Sequence, residues 1–213
     1  MQDHPLTSRP VEGTTGLRER KKQRTREAIV EAAFELFEER GFDGTTINDI
    51  AEAAEIAPRT FFSYFPSKDD VVFHDFHERQ AMVAGWLRER EPGANAFDAL
   101  RAGIEGMIGE ADPAMLEEKR CRHRLVRESE SLAAHSEHLR GKFADLIAEA
   151  VAEDLGDAPD DLRPRLVSAA AAAAMGVIDD MPDDDVDQPM ETIDDLLAFL
   201  RGGLAALQER GRG

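Results

Sequence analysis

Residues 45–65 read TTINDIAEAAEIAPRTFFSYF. Thr46 is a natural helix N-cap, and Asp49, three residues on, completes an approximate capping box. Ile47, Ile50, Ala51 and Ala54 then form the inner face of a short helix. The segment Glu55-Ile56-Ala57 predicts a tight turn. Pro58 follows where proline is tolerated, in the first turn of the next helix. Phe61 and Phe65 share a face of that helix at i, i+4, and Pro66 stops it. Two short helices joined this way make a helix-turn-helix reading head when a longer helix braces them.

The brace lies upstream. From Arg18 to about Arg40, Ile29, Ala32, Ala33, Leu36 and Phe37 fall at i, i+3, i+4, i+7 and i+8, one face of a helix. Gly41 ends it, as glycine does at a helix C-terminus. Residues 1–16 carry no apolar periodicity and read as a flexible tail. Downstream, Ser67 caps a long helix expected from Lys68 to Glu89. Further helical segments are expected at 95–110, 114–128, 131–155, 161–179 and 190–209. No stretch alternates apolar and polar residues in the manner of a strand. The chain therefore reads as all-α, with a tail (1–16), a three-helix head (17–67) and a helical body (68–213).

Within the head, Phe61 and Phe65 anchor the second short helix, and Arg59, Thr60, Ser63 and Tyr64 face outward. Arginine can fork onto guanine O6 and N7, and a Thr or Ser hydroxyl can serve a base or a phosphate. Tyr64 offers a hydroxyl to phosphate. Thr45, Thr46 and Lys68 lie at helix starts, where backbone N–H groups favour anions. The charge of the whole chain argues the other way, because 44 acidic residues against 26 basic leave a net charge of -18. That charge is uneven. Residues 18–26, which include Arg24, hold six basic side chains and one acid, whereas residues 61–213 carry -15. The basic run can follow a DNA backbone or groove while the acidic body stays away from it.

The stretch from Arg26 to Val72, with AAFELFEERGF, TTINDIAEAA and TFFSYFPSKDD in order, resembles the N-terminal domain of the tetracycline-repressor (TetR) family. The likeness covers about residues 20–72. It implies DNA reading by Thr46, Pro58, Arg59, Thr60, Phe62, Ser63, Tyr64 and Lys68. Two positions depart from the pattern. Glu55 stands where the family usually has the turn glycine, and Phe62 where tyrosine is common. The resemblance also implies that the body binds a small-molecule effector and forms a homodimer. The protein would then be a cytoplasmic, ligand-responsive regulator, most often a repressor, on a palindromic double-stranded operator. The stretch RHRLVRESESLAAH is loosely similar to a subgroup associated with acyl thioesters and redox-peptide gene clusters.

Two body segments fit a dimer surface. Segment 161–179 offers small side chains, with Leu166, Ala170, Ala173 and Val177 as the candidate face. Segment 190–209 offers Ile193, Leu197, Leu200 and Leu204. The alternative is that both stripes are ordinary intrachain core. An effector pocket would draw on Met82, Trp86, Phe97, Ile104, Met107, Ile108, Leu125 and Phe143, with Arg124 as a polar partner. Arg120, Arg124 and Arg127 fall on one helical face. They either hold an anionic ligand group or pair with acids such as Glu117, Glu118 and Glu128.

Other classes find little support. A single cysteine, Cys121, excludes an internal disulfide and any multi-cysteine zinc site. His74, His77 and Glu78, like His135 and His138, read as solvated helix faces rather than metal sites. The aspartates between Asp179 and Asp187 do not match a calcium loop. No nucleophile–base pair, phosphate loop or metal set is visible, so no catalytic residue, cofactor or metal is expected. The longest apolar run, Ala169 to Ile178, is far below the ~18 residues of a membrane span. A sequence-neutral DNA-architectural protein should be strongly basic, and this chain is not.

Overall fold

The computed structural model describes residues 12–110, 113–180 and 189–211. The described residues are helical with no strand, in two compact units divided between Val72 and Phe73. The first unit holds α1 (Glu12–Arg40), α2 (Ile47–Ala53), α3 (Pro58–Phe61) and α4 (Asp69–Val72). The second holds α5 (Phe76–Arg88), α6 (Ala96–Glu110), α7 (Pro113–Glu128), α8 (Glu130–Leu155), α9 (Leu162–Asp180) and α10 (Pro189–Gly211).

In the first unit, the expected face of α1 is buried. Ile29, Ala32, Ala33, Leu36 and Phe37 pack toward Phe42, Ile50, Ala51, Phe61 and Phe65, all under 9% exposed. Gly41 adopts a left-handed conformation (φ 74°), and its N–H donates to the Phe37 carbonyl. Helix α1 begins at Glu12, six residues before the expected start. Apolar periodicity detects burial. Leu17, where this extension meets the expected helix, is 64% exposed.

Two expected helices are shorter than the sequence implied. The α-helix at Pro58 ends at Phe61, and Ser63 and Tyr64 donate to Thr60 and Phe61 in tighter i+3 turns. The long helix expected from Lys68 to Glu89 is broken after Val72 and resumes at Phe76. Ser67 still caps the first piece, accepting from the Asp70 N–H at 3.2 Å. Phe73, in the break, and Phe76, the first residue of α5, are both buried.

The second unit is organised by α8, which packs along α9 and also meets α5, α6, α7 and α10. Its core gathers Leu87, Phe97, Leu100, Ile104, Ile147, Val151, Ala171, Ile193, Leu197, Leu200 and Leu204. Trp86, Ile108, Val167 and Met175 pack against this core. The indole of Trp86 covers Gly103 so closely that an added Cβ there would lie 2.0 Å from the ring. The N-terminus of α6 is closed by Asn95, whose Oδ1 accepts from the Phe97 and Asp98 N–H groups. The Asp154 carboxylate accepts from the Ala96 N–H at 2.8 Å.

The dimer-face expectation for α10 is corrected. Ile193, Leu197, Leu200 and Leu204 are 1–5% exposed within one chain and belong to its core. Burial of an i, i+3, i+4, i+7 stripe looks the same in sequence whether the covering helix comes from the same chain or a partner. The outer face of α10 instead carries Phe199, 75% exposed, beside Gly202 and Gly203. On α9, Leu166 (59% exposed), Ala170 and Ala173 do face outward, together with Leu162 (70% exposed). The side chains of Val177, Asp179 and Asp180, and the whole of residues 181–188, lie outside the described residues. No helix of the described residues is long and apolar enough to cross a membrane.

Candidate nucleic-acid interface

The head is set by its two turns. Thr46 caps α2 in a full capping box: its hydroxyl accepts from the Asp49 N–H at 3.2 Å, and its own N–H donates to Asp49 Oδ2 at 2.8 Å. Hydrogen bonds from the Thr46 hydroxyl and then the Thr46 N–H hold the Asp49 carboxyl below its ordinary range. At the far end, the Ile56 N–H donates to Ala51 and the Glu55 N–H to Glu52. This is a Schellman closure, and it requires a left-handed residue at position 55. Glu55 supplies it at φ 53°, the one non-glycine residue with positive φ among the described residues. The missing turn glycine therefore changes the energy of the turn rather than its shape.

Pro58 then starts α3. Phe61 is fully buried, Phe65 is 2% exposed, and their ring centroids are 5.9 Å apart. With that face anchored, Pro58, Arg59, Phe62 (57% exposed) and Ser63 are exposed, and Thr60 and Tyr64 are half-buried. The surface thus groups a guanidinium, three hydroxyls and an aromatic ring on one short turn of chain. Arg24 is exposed on α1.

Two expected phosphate contacts are placed otherwise. Thr45 is 1% exposed, and its hydroxyl donates inward to the Gly41 and Leu36 carbonyls at 2.9 and 3.2 Å. Lys68 donates to the Thr45 carbonyl at 2.8 Å and to that of Phe42, and lies 3.9 Å over the Phe42 ring. Burial pushes its ammonium below the ordinary lysine range, against the pull of Asp43 and Asp69. Two of its three N–H donors tie α4 to the loop after α1. A helix start reads the same in sequence whether its polar residue faces outward or braces the neighbouring loop.

A groove of about 510 Å³ runs beside this surface, lined by Glu19, Arg20, Lys22, Gln23, Arg26, Ser63 and Tyr64. The Arg26 guanidinium stacks 4.8 Å over the Phe65 ring.

In the body, the candidate effector residues fall in different places. Trp86, Phe97, Ile104 and Ile108 share the main core, Leu125 is 1% exposed, and Phe143 meets Phe76 edge-on at 5.3 Å. Met82 is half-buried, whereas Met107 and Arg124 are exposed. Arg124 Nη2 lies 3.5 Å from the buried Cys121 Sγ. Arg120 pairs with Glu117 at 3.1 Å, and Arg127 is exposed. Arg122 is the buried member of the run, held by Glu118 at 2.6 Å and Asp75 at 3.2 Å. Alternation of arginines with apolar residues could have flagged it, because Arg122 falls on the same face as Leu125. His74 is not on a solvated face; it pairs with Glu118 at 2.9 Å. His135 stacks on Phe73 at 5.1 Å. Among the described residues, no group of three or more potential ligands is placed to hold a metal ion.

An anchored helix-turn-helix joined to a larger helical body defines a class of DNA-binding regulators. Residues 29–74 match the family described as bacterial regulatory proteins, tetR family, and residues 94–205 match the MftR C-terminal domain. The chain belongs to the TetR family and is a transcriptional regulator, not an enzyme. It is 34% identical over 185 residues to the HTH-type transcriptional regulator TcmR of Streptomyces glaucescens, spanning 83% of this chain and 80% of that protein. It is 32% identical over 149 residues to MftR of Mycobacterium tuberculosis, whose name assigns it to mycofactocin biosynthesis, spanning 70% and 75%. The fold is also that of FadR from Thermus thermophilus, a repressor solved with lauroyl-CoA (TM-score 0.56, 24% identity, 84% and 94% covered). NalD, a repressor of a Pseudomonas aeruginosa efflux pump, is similar too (TM-score 0.57, 20% identity, 86% and 97% covered).

Proposed function

We propose that this regulator binds a palindromic operator as a homodimer, represses transcription there, and is released by a small-molecule effector. The observation that carries the reading is the exposed set Pro58, Arg59, Thr60, Phe62 and Ser63 on a turn pinned from behind by Phe61 and Phe65. Arg59 is the base reader, and Thr60 and Ser63 serve bases or phosphate. Tyr64, Thr46 and Arg24 act on the backbone. Thr45 and Lys68 act by bracing the head. The head ends at Val72 and the body begins at Phe73, and the protein works in the cytoplasm, where its DNA is.

The dimer surface is the outer face of α9 and α10: Leu162, Leu166, Ala170, Ala173 and Phe199. Exposed large apolar side chains beside small residues favour close helix packing against a second copy. The effector is hydrophobic, with an acyl thioester the leading class. An apolar core of Trp86, Phe97, Ile104 and Ile108 supports this, as does the lauroyl-CoA complex of a protein sharing the fold. Because those side chains pack on one another, the effector enters by displacing them, and it shifts the DNA-binding equilibrium only by its preference for the displaced state.

The test begins with operator selection from a random DNA pool. Arg59→Ala should then weaken operator binding by about 1–3 kcal/mol and relax one base preference. Unchanged affinity and preference would remove Arg59 as a base reader. A thermal-shift screen that includes acyl thioesters, followed by release from the selected operator, tests the effector class.

A further inference from the structure

Asp75, the residue before α5, sits between two guanidinium groups. Arg122 of α7 donates from Nη1 to Asp75 Oδ2 at 3.2 Å. Arg79 of α5 holds its Nε 3.6 Å from the same oxygen, too far for a hydrogen bond. Glu118 accepts from Arg122 Nη2 at 2.6 Å and lies 2.9 Å from His74 Nε2. These bonds leave the cluster incomplete. Asp75 Oδ1, Arg79 Nε and Arg122 Nε are buried atoms with no hydrogen-bond partner among the described residues. The surroundings are apolar. Arg79 lies 5.9 Å over the Phe143 ring, Phe143 meets Phe76 edge-on, and Cys121 and Leu125 are buried on the same helix as Arg122. Buried polar atoms of a folded chain are almost always paired, so an unfilled set of three points to a partner from outside the chain.

We infer that Asp75, Arg79 and Arg122 form a polar subsite for the effector, and that it takes a neutral hydroxyl or secondary amide. The inference rests on the effector-binding reading above and adds a requirement to it. The chemistry follows from the unfilled set, which holds two N–H donors and one carboxylate acceptor. A hydroxyl or amide oxygen accepts from a guanidinium Nε–H, and its O–H or N–H donates to Asp75 Oδ1. An ester or thioester carbonyl accepts but cannot donate. On an acyl thioester, the group that docks here therefore lies away from the thioester itself. Charge disfavours an ion. The carboxylates of Asp75 and Glu118 offset the guanidiniums of Arg79 and Arg122, and a buried ion without counter-charge is costly. The polar partner expected at Arg124 is replaced by Arg122, which is buried where Arg124 is exposed.

The experiment titrates the full chain, without DNA, in a calorimeter with 1-decanol, N-methyldecanamide, methyl decanoate and decanoate. The amide and the methyl ester have nearly the same shape and differ by one donor. The alcohol or the amide should bind roughly tenfold tighter than the ester, the effect of one hydrogen bond to a charged group. Decanoate should bind no tighter than the ester. The larger of the two advantages tells a hydroxyl from an amide. Arg79→Lys keeps a positive charge beside Asp75 and removes one orphaned Nε–H. It should erase most of the advantage, leave ester affinity unchanged and leave the unfolding temperature unchanged. Equal binding of the ester and both donor-bearing probes, a preference for decanoate, or an undiminished advantage in Arg79→Lys overturns the subsite. Absence of binding by all four probes overturns it too, and the three atoms then hold ordered water only. The effector reading is decided separately, by release of the operator with acyl thioesters. Ester binding without discrimination leaves that reading standing while the subsite falls.

Discussion

Arg122 of α7 lies with its Nη1 3.2 Å from the carboxylate of Asp75, the residue that precedes α5, while its Nη2 donates to Glu118 at 2.6 Å. The arginine side chain is only 7% exposed. The pair fastens the start of α5, just after the division between the two units, to α7.

Removing the arginine leaves two carboxylates facing each other with less counter-charge. Breaking a fully buried pair costs about 3–5 kcal/mol, and the partial exposure of Asp75 and Glu118 reduces this. Arg122→Ala should therefore cost about 2 kcal/mol in urea unfolding. A double-mutant cycle with Asp75→Asn should return a coupling energy of at least about 0.5 kcal/mol. Additive losses would show that the two side chains act independently.

The same cluster sets a pH dependence. Burial alone would raise the Asp75 and Glu118 pKa values. Arg122, Arg79 and His74 outweigh it for Asp75, and His74 and Arg122 outweigh it for Glu118, so both lie below their ordinary range. Their contribution is full above the unfolded pKa values and is lost as pH falls through the folded ones. Asp154 has the opposite sign. Its burial raises the pKa despite the Ala96 N–H and Arg90, so its ionisation opposes folding as pH rises through that value. Through Asp75 and Glu118, stability should fall below about pH 4. Asp75→Asn should flatten that fall, as followed by circular dichroism between pH 5 and 2.

Glu55 holds a left-handed conformation that costs an L-residue about 1–2 kcal/mol. Glycine removes that cost but adds unfolded-state entropy worth about 0.4–1 kcal/mol. Glu55→Gly should thus stabilise the protein by about 0.5–1 kcal/mol and leave operator preference unchanged. A lower unfolding temperature would contradict the strain argument.

Gly103 lies under the indole of Trp86, the single tryptophan of the chain. Gly103→Ala forces that ring outward and should cost about 1–3 kcal/mol. The intrinsic tryptophan emission should shift to the red. Unchanged emission would mean that the helices part instead of the ring moving.

The two faces of α10 should separate association from folding. Phe199→Glu, with Leu166→Glu on α9, should give monomers in sedimentation analysis with an intact circular dichroism spectrum. Leu197→Ala should instead cost about 2–5 kcal/mol of fold stability, because Leu197 is 2% exposed within one chain. A monomer produced by Leu197→Ala with full stability would restore α10's apolar stripe as the interface.

Much of this protein was legible in its sequence. Capping and periodicity are local: Thr46 and Asp49 are three residues apart, Ile29 to Phe37 lie on one helix, and Pro58 acts on its own turn. Local chemistry therefore located the helix-turn-helix and the five later helices to within a few residues. Tertiary structure decided which surface each side chain meets. The hydroxyl of Thr45 turns inward to carbonyls at the end of α1, and the ammonium of Lys68 to the Phe42 and Thr45 carbonyls, more than twenty residues away in sequence. The stripe of α10 is core because α6, α8 and α9 of the same chain cover it. Arg122 is buried by partners at positions 75 and 118, and the groove joins residues about forty apart in sequence. Periodicity records that a face is covered, but only the folded chain determines by what.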